Sequence, residues 1–228
     1  MGRTVSDGTG VDGARRRAPR GVSRLITYAK GKEILVLGPA SAGKTHFGEY
    51  LRLGALGREG ERKMTFHVTK SPVFTIRVGK DGGRLLNVRR AVDTPGQVGP
   101  IQHANLVGHR KPNGVILVLD CSQTVSTTVR WVDLFSDRLD TVLRRGSAAR
   151  RKLRAVLVLL NKRDKIGDRK CERLKEGVAE LLDRHLSVVL GRKRAHAIPI
   201  LECIAVQTEE GTVLIDAVVG RLAEGLGK

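Results

Sequence analysis

From residue 33 onward the chain alternates short, almost wholly apolar runs with longer stretches in which apolar residues recur every three or four positions. Runs of the first kind are what strands buried on both faces look like, and stretches of the second kind are amphipathic helices laid over them. The strand candidates are Glu33–Leu37, Val73–Val78, Arg84–Val92, Val115–Asp120, Ala155–Leu160 and Ile198–Ala205. Lys80-Asp81-Gly82-Gly83 carries the Asp-Gly signal of a tight hairpin, so the second and third strands are expected to run antiparallel. Helices are expected from the Gly43-Lys44-Thr45 turn and over Val125–Arg144, Cys171–Leu190 (stopped by Gly191) and Val213–Leu226. No internal repeat is visible. The expected fold class is α/β, a three-layer α/β/α arrangement with a six-stranded, mostly parallel sheet and one antiparallel edge strand.

Ahead of this pattern, residues 1–20 hold Gly, Arg, Asp and Pro with almost nothing apolar, and Val22–Ala29 is a short lead-in helix or turn. We therefore expect two parts: a disordered basic arm over 1–32 and one folded domain over 33–228. The 228 residues carry 42 Lys and Arg against 23 Asp and Glu, a net charge of +19. Such a charge favours nucleic acid, an anionic lipid surface or an acidic partner. With aromatics at 3%, a single-strand binder that stacks bases on rings is disfavoured. Cysteines 121, 171 and 203 form neither a C-x-x-C pair nor an even set, which excludes a disulfide scaffold or zinc ribbon and fits a cytoplasmic setting. No apolar run reaches the roughly 20 residues of a membrane span. Met1-Gly2-Arg3-Thr4-Val5-Ser6 fits an acylation pattern, and with the basic arm it would give peripheral attachment to an anionic membrane.

Three motifs carry the chemistry. Gly38-Pro39-Ala40-Ser41-Ala42-Gly43-Lys44-Thr45 follows the first strand and is a complete G-x-x-x-x-G-K-[ST]. Its spacing lets successive backbone N–H groups of Gly38, Ser41, Ala42 and Gly43 wrap a phosphate at a helix N-terminus. Lys44 offers a point charge to the β and γ oxygens, and the Thr45 hydroxyl is a ligand for Mg²⁺. Asn161-Lys162-Arg163-Asp164 ends the fifth strand. The Asp164 carboxylate can accept from both N1–H and N2–H₂ of guanine, a donor pair adenine lacks. Lys162 can lay its stem over the purine, and Asn161 can tie this loop to the phosphate loop. Between them, Asp93-Thr94-Pro95-Gly96 closes the third strand, where Asp93 would hold Mg²⁺ through water and the Gly96 N–H would sense the γ-phosphate.

GPASAGKT, DTPGQ and NKRD, in this order and spacing, resemble the Ras-like small GTPases of the translation-factor class over about residues 33–226. The AGKT ending is similar to the Arf-like branch and DTPG to bacterial G domains. The resemblance implies a switch that binds GTP and GDP with Mg²⁺, hydrolyses GTP slowly, and is acted on by effector and activating proteins. It further implies that Gln97 orients the attacking water, that Ile204-Ala205-Val206 forms the guanine O6 loop with only Ala205 matching the family's usual Ser-Ala-Lys, and that a switch Thr completes the metal site. Thr65 and Thr69 are the candidates for that Thr, with Thr69 favoured, at the end of a long loop from Gly54. Ala40 stands where many relatives have glycine. Arg89-Arg90 interrupt an otherwise apolar strand.

Three other readings stay open on sequence alone. A P-loop small-molecule kinase would use Arg144-Arg145 or Arg150-Arg151 as a phosphate clamp, and a nucleotide-loaded scaffold would bind GTP without hydrolysing it. An RNA- or ribosome-associated GTPase would track phosphates with Arg15-Arg16-Arg17, Arg150-Arg151-Lys152 and Arg192-Lys193-Arg194.

Overall fold

In a computed structural model of the chain, the described residues are 31–53, 69–70, 74–78, 84–95, 97–205 and 208–227. Residues 1–30 of the expected arm, residues 54–68 with Thr65, Gly96 and residues 80–83 lie outside them, while Lys32, placed in the arm by the sequence, opens the first strand.

The elements, in chain order, are β1 (Lys32–Leu37), α1 (Lys44–Leu53), β2 (Thr69–Lys70), β3 (Phe74–Val78), β4 (Arg84–Asp93), α2 (Pro100–Arg110), β5 (Gly114–Asp120), α3 (Val125–Arg145), α4 (Ser147–Lys152), β6 (Ala155–Asn161), α5 (Asp168–Leu190), α6 (Arg192–His196), β7 (Ile200–Cys203) and α7 (Glu209–Leu226). The sheet runs β2-β4-β1-β5-β6-β7, with β3 also paired to β4. β2 and β3 lie along the same side of β4 in one register, Thr69 opposite Asp93 and Phe74 opposite Val88. They fill a single edge position, so the sheet is six strands wide. That edge is antiparallel, as the Asp-Gly turn predicts, and every other pairing is parallel.

Side-chain alternation along the strands divides the core in two. Leu35, Leu37, Val115, Leu117, Val158 and Leu160 face α2, α3 and α5, while Ile34, Val36, Ile116, Val118, Leu157 and Leu159 face α1 and α7. Both faces are covered, which is why β5 and β6 are buried along their whole length. The helix after β1 lies on one face and those after β4 and β5 on the other. β1 therefore sits at the point where the connections diverge, and the crevice at its carboxyl end is the ordinary ligand position of such a sheet.

One strand expectation needs correcting. Ile198–Ala205 yields only a four-residue strand, Ile200–Cys203. Arg150-Arg151-Lys152 and Arg192-Lys193-Arg194 belong to the short helices α4 and α6. Arg144-Arg145 end α3, where Arg144 pairs with Asp140 four residues earlier at 2.6 Å. Among the described residues no helix is long and apolar enough to cross a membrane.

Candidate nucleotide-binding site

The loop after β1 bends back over the sheet in a way its sequence permits. Gly38 takes φ 144, and a Cβ there would lie 2.0 Å from the Val118 carbonyl oxygen on β5. Gly43 takes φ 95, and its Cβ would meet Asn161 Nδ2 at 2.2 Å. Both positions combine left-handed backbone with a contact that excludes a side chain. Ser41 enters the same region at φ 58 without being glycine, a conformation that costs about 1–2 kcal/mol and marks the loop as held from outside. α1 starts at Lys44 with no acidic residue in its first turn, so the positive end of its dipole is not neutralised.

Lys44 is 5% exposed, and its Nζ donates to the Pro39 carbonyl at 2.7 Å, bending over the loop. Burial lowers its pKa, and the Asp93 charge opposes the shift. The Thr45 hydroxyl donates to Asp93 Oδ2 at 2.7 Å. A hydroxyl from the first turn of α1 and a carboxylate from the end of β4 thus meet where the sequence placed Mg²⁺, and an all-oxygen pair suits a hard divalent cation. Thr69 lies directly opposite Asp93 in the sheet, which brings the favoured switch Thr to the same corner. Gln97 is exposed in the turn before α2, where the Val98 N–H donates to the Pro95 carbonyl at 3.3 Å.

The far wall is built from β6. Asn161 is buried, and its Nδ2 donates to the Ala42 carbonyl at 2.8 Å across β5, the tie its sequence position suggests. Its Oδ1 accepts the Ala205 N–H at 2.9 Å. One side chain therefore joins the phosphate loop, the N-K-x-D turn and the loop after β7. Lys162 takes left-handed backbone at φ 63. Its Nζ donates to Asp120 Oδ2 at 2.5 Å, so the head is anchored on the end of β5. Asp120 also accepts from the Ser122 N–H and hydroxyl. Burial alone would raise its pKa, but the bonds from Lys162 and Ser122 outweigh that and leave it below the usual carboxylate range. Asp164 is exposed in the 3₁₀ turn Arg163–Lys165.

Sequence reasoning did not single out Asp120, Thr94 or His103. The buried Thr94 hydroxyl bonds the Val36 carbonyl at 3.1 Å and His103 Nε2 at 3.2 Å, stitching the residue after Asp93 to β1 and α2. Asp120 was legible in principle, since a lone acid at the end of an apolar strand needs a cation. His103 carries no such signal, because its neighbours come from tertiary contact.

No family model matches the chain, and no curated protein matches it. Among solved structures it is similar to the crystal structure of a bacterial selenocysteine-specific elongation factor, with a TM-score of 0.51, 16% identity, and coverage of 87% of this chain and 29% of that chain. The likeness is one of fold: a mostly parallel sheet with an antiparallel edge strand and helices on both faces, in a chain that matches less than a third of that protein's length.

Proposed function

We propose that this chain is a guanine-nucleotide switch that binds GTP and GDP with Mg²⁺ and hydrolyses GTP slowly to GDP and phosphate in a cytoplasmic setting. The observation that carries the reading is Asn161, whose two bonds join the phosphate loop at Ala42 to the loop at Ala205 beside the turn bearing Asp164. A ligand that spans this cleft has an anionic tail at one end and a hydrogen-bonding ring at the other.

The roles follow from the side chains. Backbone N–H groups of Gly38, Ser41, Ala42 and Gly43, with the α1 dipole, hold the phosphates. Lys44 trades its bond to Pro39 for the β and γ oxygens, losing little entropy because burial already confines it. Thr45, Asp93 and Thr69 would hold Mg²⁺, which neutralises phosphate charge when bound. Gly96 offers its N–H to the γ-phosphate, and Gln97 orients the attacking water. Asp164 accepts from the guanine edge, Lys162 covers the ring with its stem, and the loop at Ala205, held by its bond to Asn161, lines the base side of the cleft. Intrinsic turnover is on the order of 10⁻⁴ to 10⁻² per second, and an activating partner's arginine would add roughly 10³–10⁵-fold. The charge of +19 supports an anionic membrane or RNA as a further partner, to be sought as salt-sensitive retention on vesicles or RNA.

Displacement of a fluorescent GDP analogue in the presence of Mg²⁺ tests the reading. GTP and GDP should compete at micromolar levels or below and ATP should not. Asp164→Asn should reduce guanine preference by about 10–100-fold, the worth of a bidentate base contact. Equal competition by ATP, or an unchanged preference in Asp164→Asn, overturns it.

A further inference from the structure

Asp164 has no hydrogen bond or ion pair of its own among the described residues, so the position of its carboxylate is decided by the backbone of the turn that carries it. That turn is held by the residue before it. Arg163 Nε donates to Glu202 Oε2 at 2.6 Å, its Nη1 donates to the Ile166 carbonyl at 2.6 Å, and its Nη2 bonds Asp168 at the start of α5. A planar guanidinium with partners in three directions fixes a turn in rotation as well as in position. The other oxygen of Glu202 takes Lys175 Nζ at 2.6 Å from the second turn of α5, and Lys175 also reaches Glu172 at 2.8 Å. Arg163, Glu202 and Lys175 side chains are 18%, 29% and 28% exposed, so the network lies largely out of water and is unlike an isolated surface pair of negligible worth. The bond from Lys175 lowers the Glu202 pKa, with partial burial opposing and the bond from Arg163 adding to it.

The placement of Glu202 gives the network its meaning. It lies on β7, the edge strand, three residues before Ala205, and pairs in register with Leu160 of β6. The two halves of the base site are the turn after β6 and the loop after β7. Asn161 ties them from the buried side through the Ala205 N–H, and Arg163–Glu202 ties them from the outer side. β7 has only four residues and, among the described residues, a single neighbouring strand. Beyond the short ladder with β6, these two cross-links are the side-chain ties that align it with the Asp164 turn.

We infer that Arg163 and Glu202 are positioning residues for base selection, clamping the two base-contacting loops so that Asp164 is set at the guanine edge before nucleotide arrives; this rests on the guanine reading above. Preorganisation of this kind raises affinity for the ligand whose donors fit the fixed carboxylate and leaves the phosphate grip untouched. A bridge that served only stability would alter unfolding without altering the choice between bases.

The experiment measures dissociation constants for GDP and ADP, with inorganic tripolyphosphate as a base-free probe, by displacement of a fluorescent GDP analogue. The proteins are the full chain and its Arg163→Ala, Glu202→Gln and Arg184→Ala variants, the last removing an exposed pair with Glu180 elsewhere on α5. Arg163→Ala should lower the GDP-over-ADP preference about tenfold, the scale of one charge-assisted hydrogen bond. Glu202→Gln should lower it in the same direction by a smaller factor. Tripolyphosphate affinity should stay within about twofold throughout, and Arg184→Ala should match wild type. An unchanged preference in Arg163→Ala and Glu202→Gln, with wild type discriminating, overturns the clamp and leaves the guanine reading standing. Equal loss of GDP, ADP and tripolyphosphate also overturns it, and a wild type without preference overturns both. Should Arg163→Ala not fold, Glu202→Gln decides alone.

Discussion

His103 shows how much one side chain can be asked to do. It is fully buried, bonded to Thr94 through Nε2, and its ring faces Trp131 at 5.8 Å, which stacks on Phe135 at 5.5 Å. Burial first, and then the Lys44 charge, push its pKa down to about 4, with the Pro95 carbonyl pulling weakly the other way. The native state therefore keeps the ring neutral while the unfolded chain protonates it near pH 6.5. Stability from this group is complete above pH 6.5 and is lost as pH falls toward 4, because only the unfolded state gains a proton across that window. The loss should be about 3 kcal/mol. Urea unfolding at pH 7, 5.5 and 4.5 should show wild type falling more steeply than His103→Gln, although the variant starts lower for want of the Thr94 bond. Parallel profiles for the two proteins would show that His103 does not stay neutral in the fold.

At the scale of elements, the amino end of β1 accounts for one of the two arginines in an apolar strand, Arg89. Glu33 is 3% exposed, and its carboxylate takes Arg89 Nη2 and Arg110 Nη2 at 2.9 Å each, from β4 and the last turn of α2. Asn113 completes the corner by accepting the Glu33 N–H at 2.9 Å. Removing the acid leaves two guanidiniums facing each other with their solvation already reduced. Breaking a buried pair costs about 3–5 kcal/mol; with the arginines 30% and 25% exposed we expect about 2–3 kcal/mol for Glu33→Ala. A double-mutant cycle with Arg89→Ala should return a coupling above about 1 kcal/mol, and nucleotide affinity should be unchanged because the cluster lies at the opposite end of β1 from the phosphate loop. Additive single and double variants would remove the ion pair from the account. The cluster also marks what the sequence could reveal. Motifs built from adjacent residues, such as Gly38–Thr45 and Asn161–Asp164, were legible because local spacing alone specifies them, and long amphipathic helices such as α3 and α5 were legible from their period. Glu33 is separated from Arg89 by 56 positions, and nothing local pairs them. α4 and α6 are six- and five-residue helices rich in arginine, too short to show a period. The turn of Lys162 toward Asp120 likewise depends on β5 and β6 lying side by side.

Across the whole molecule the two ends of the sheet are specialised. The amino end holds the Glu33 cluster, and the opposite end gathers the candidate site, from the carboxyl ends of β1, β4, β5, β6 and β7 together with Thr69 of β2 beside Asp93. A nucleotide touching loops from four strands would bind the native state and not the unfolded chain, so its binding free energy adds to the stability of the whole fold. With Mg²⁺ and GDP at about 100 times the dissociation constant, the gain is about 2.7 kcal/mol. For a chain of 228 residues that converts to a rise in Tm of roughly 5–10 °C. Chelating the metal should remove most of the rise, since Thr45 and Asp93 would then face the phosphates without a shared cation. ADP at the same concentration should give little, and Glu33→Ala should start from a lower Tm yet show the same increment. A rise that ignores chelator would exclude the Thr45–Asp93 corner as a metal site. An increment equal for GDP and ADP would mean that the cleft grips phosphate but does not read the base.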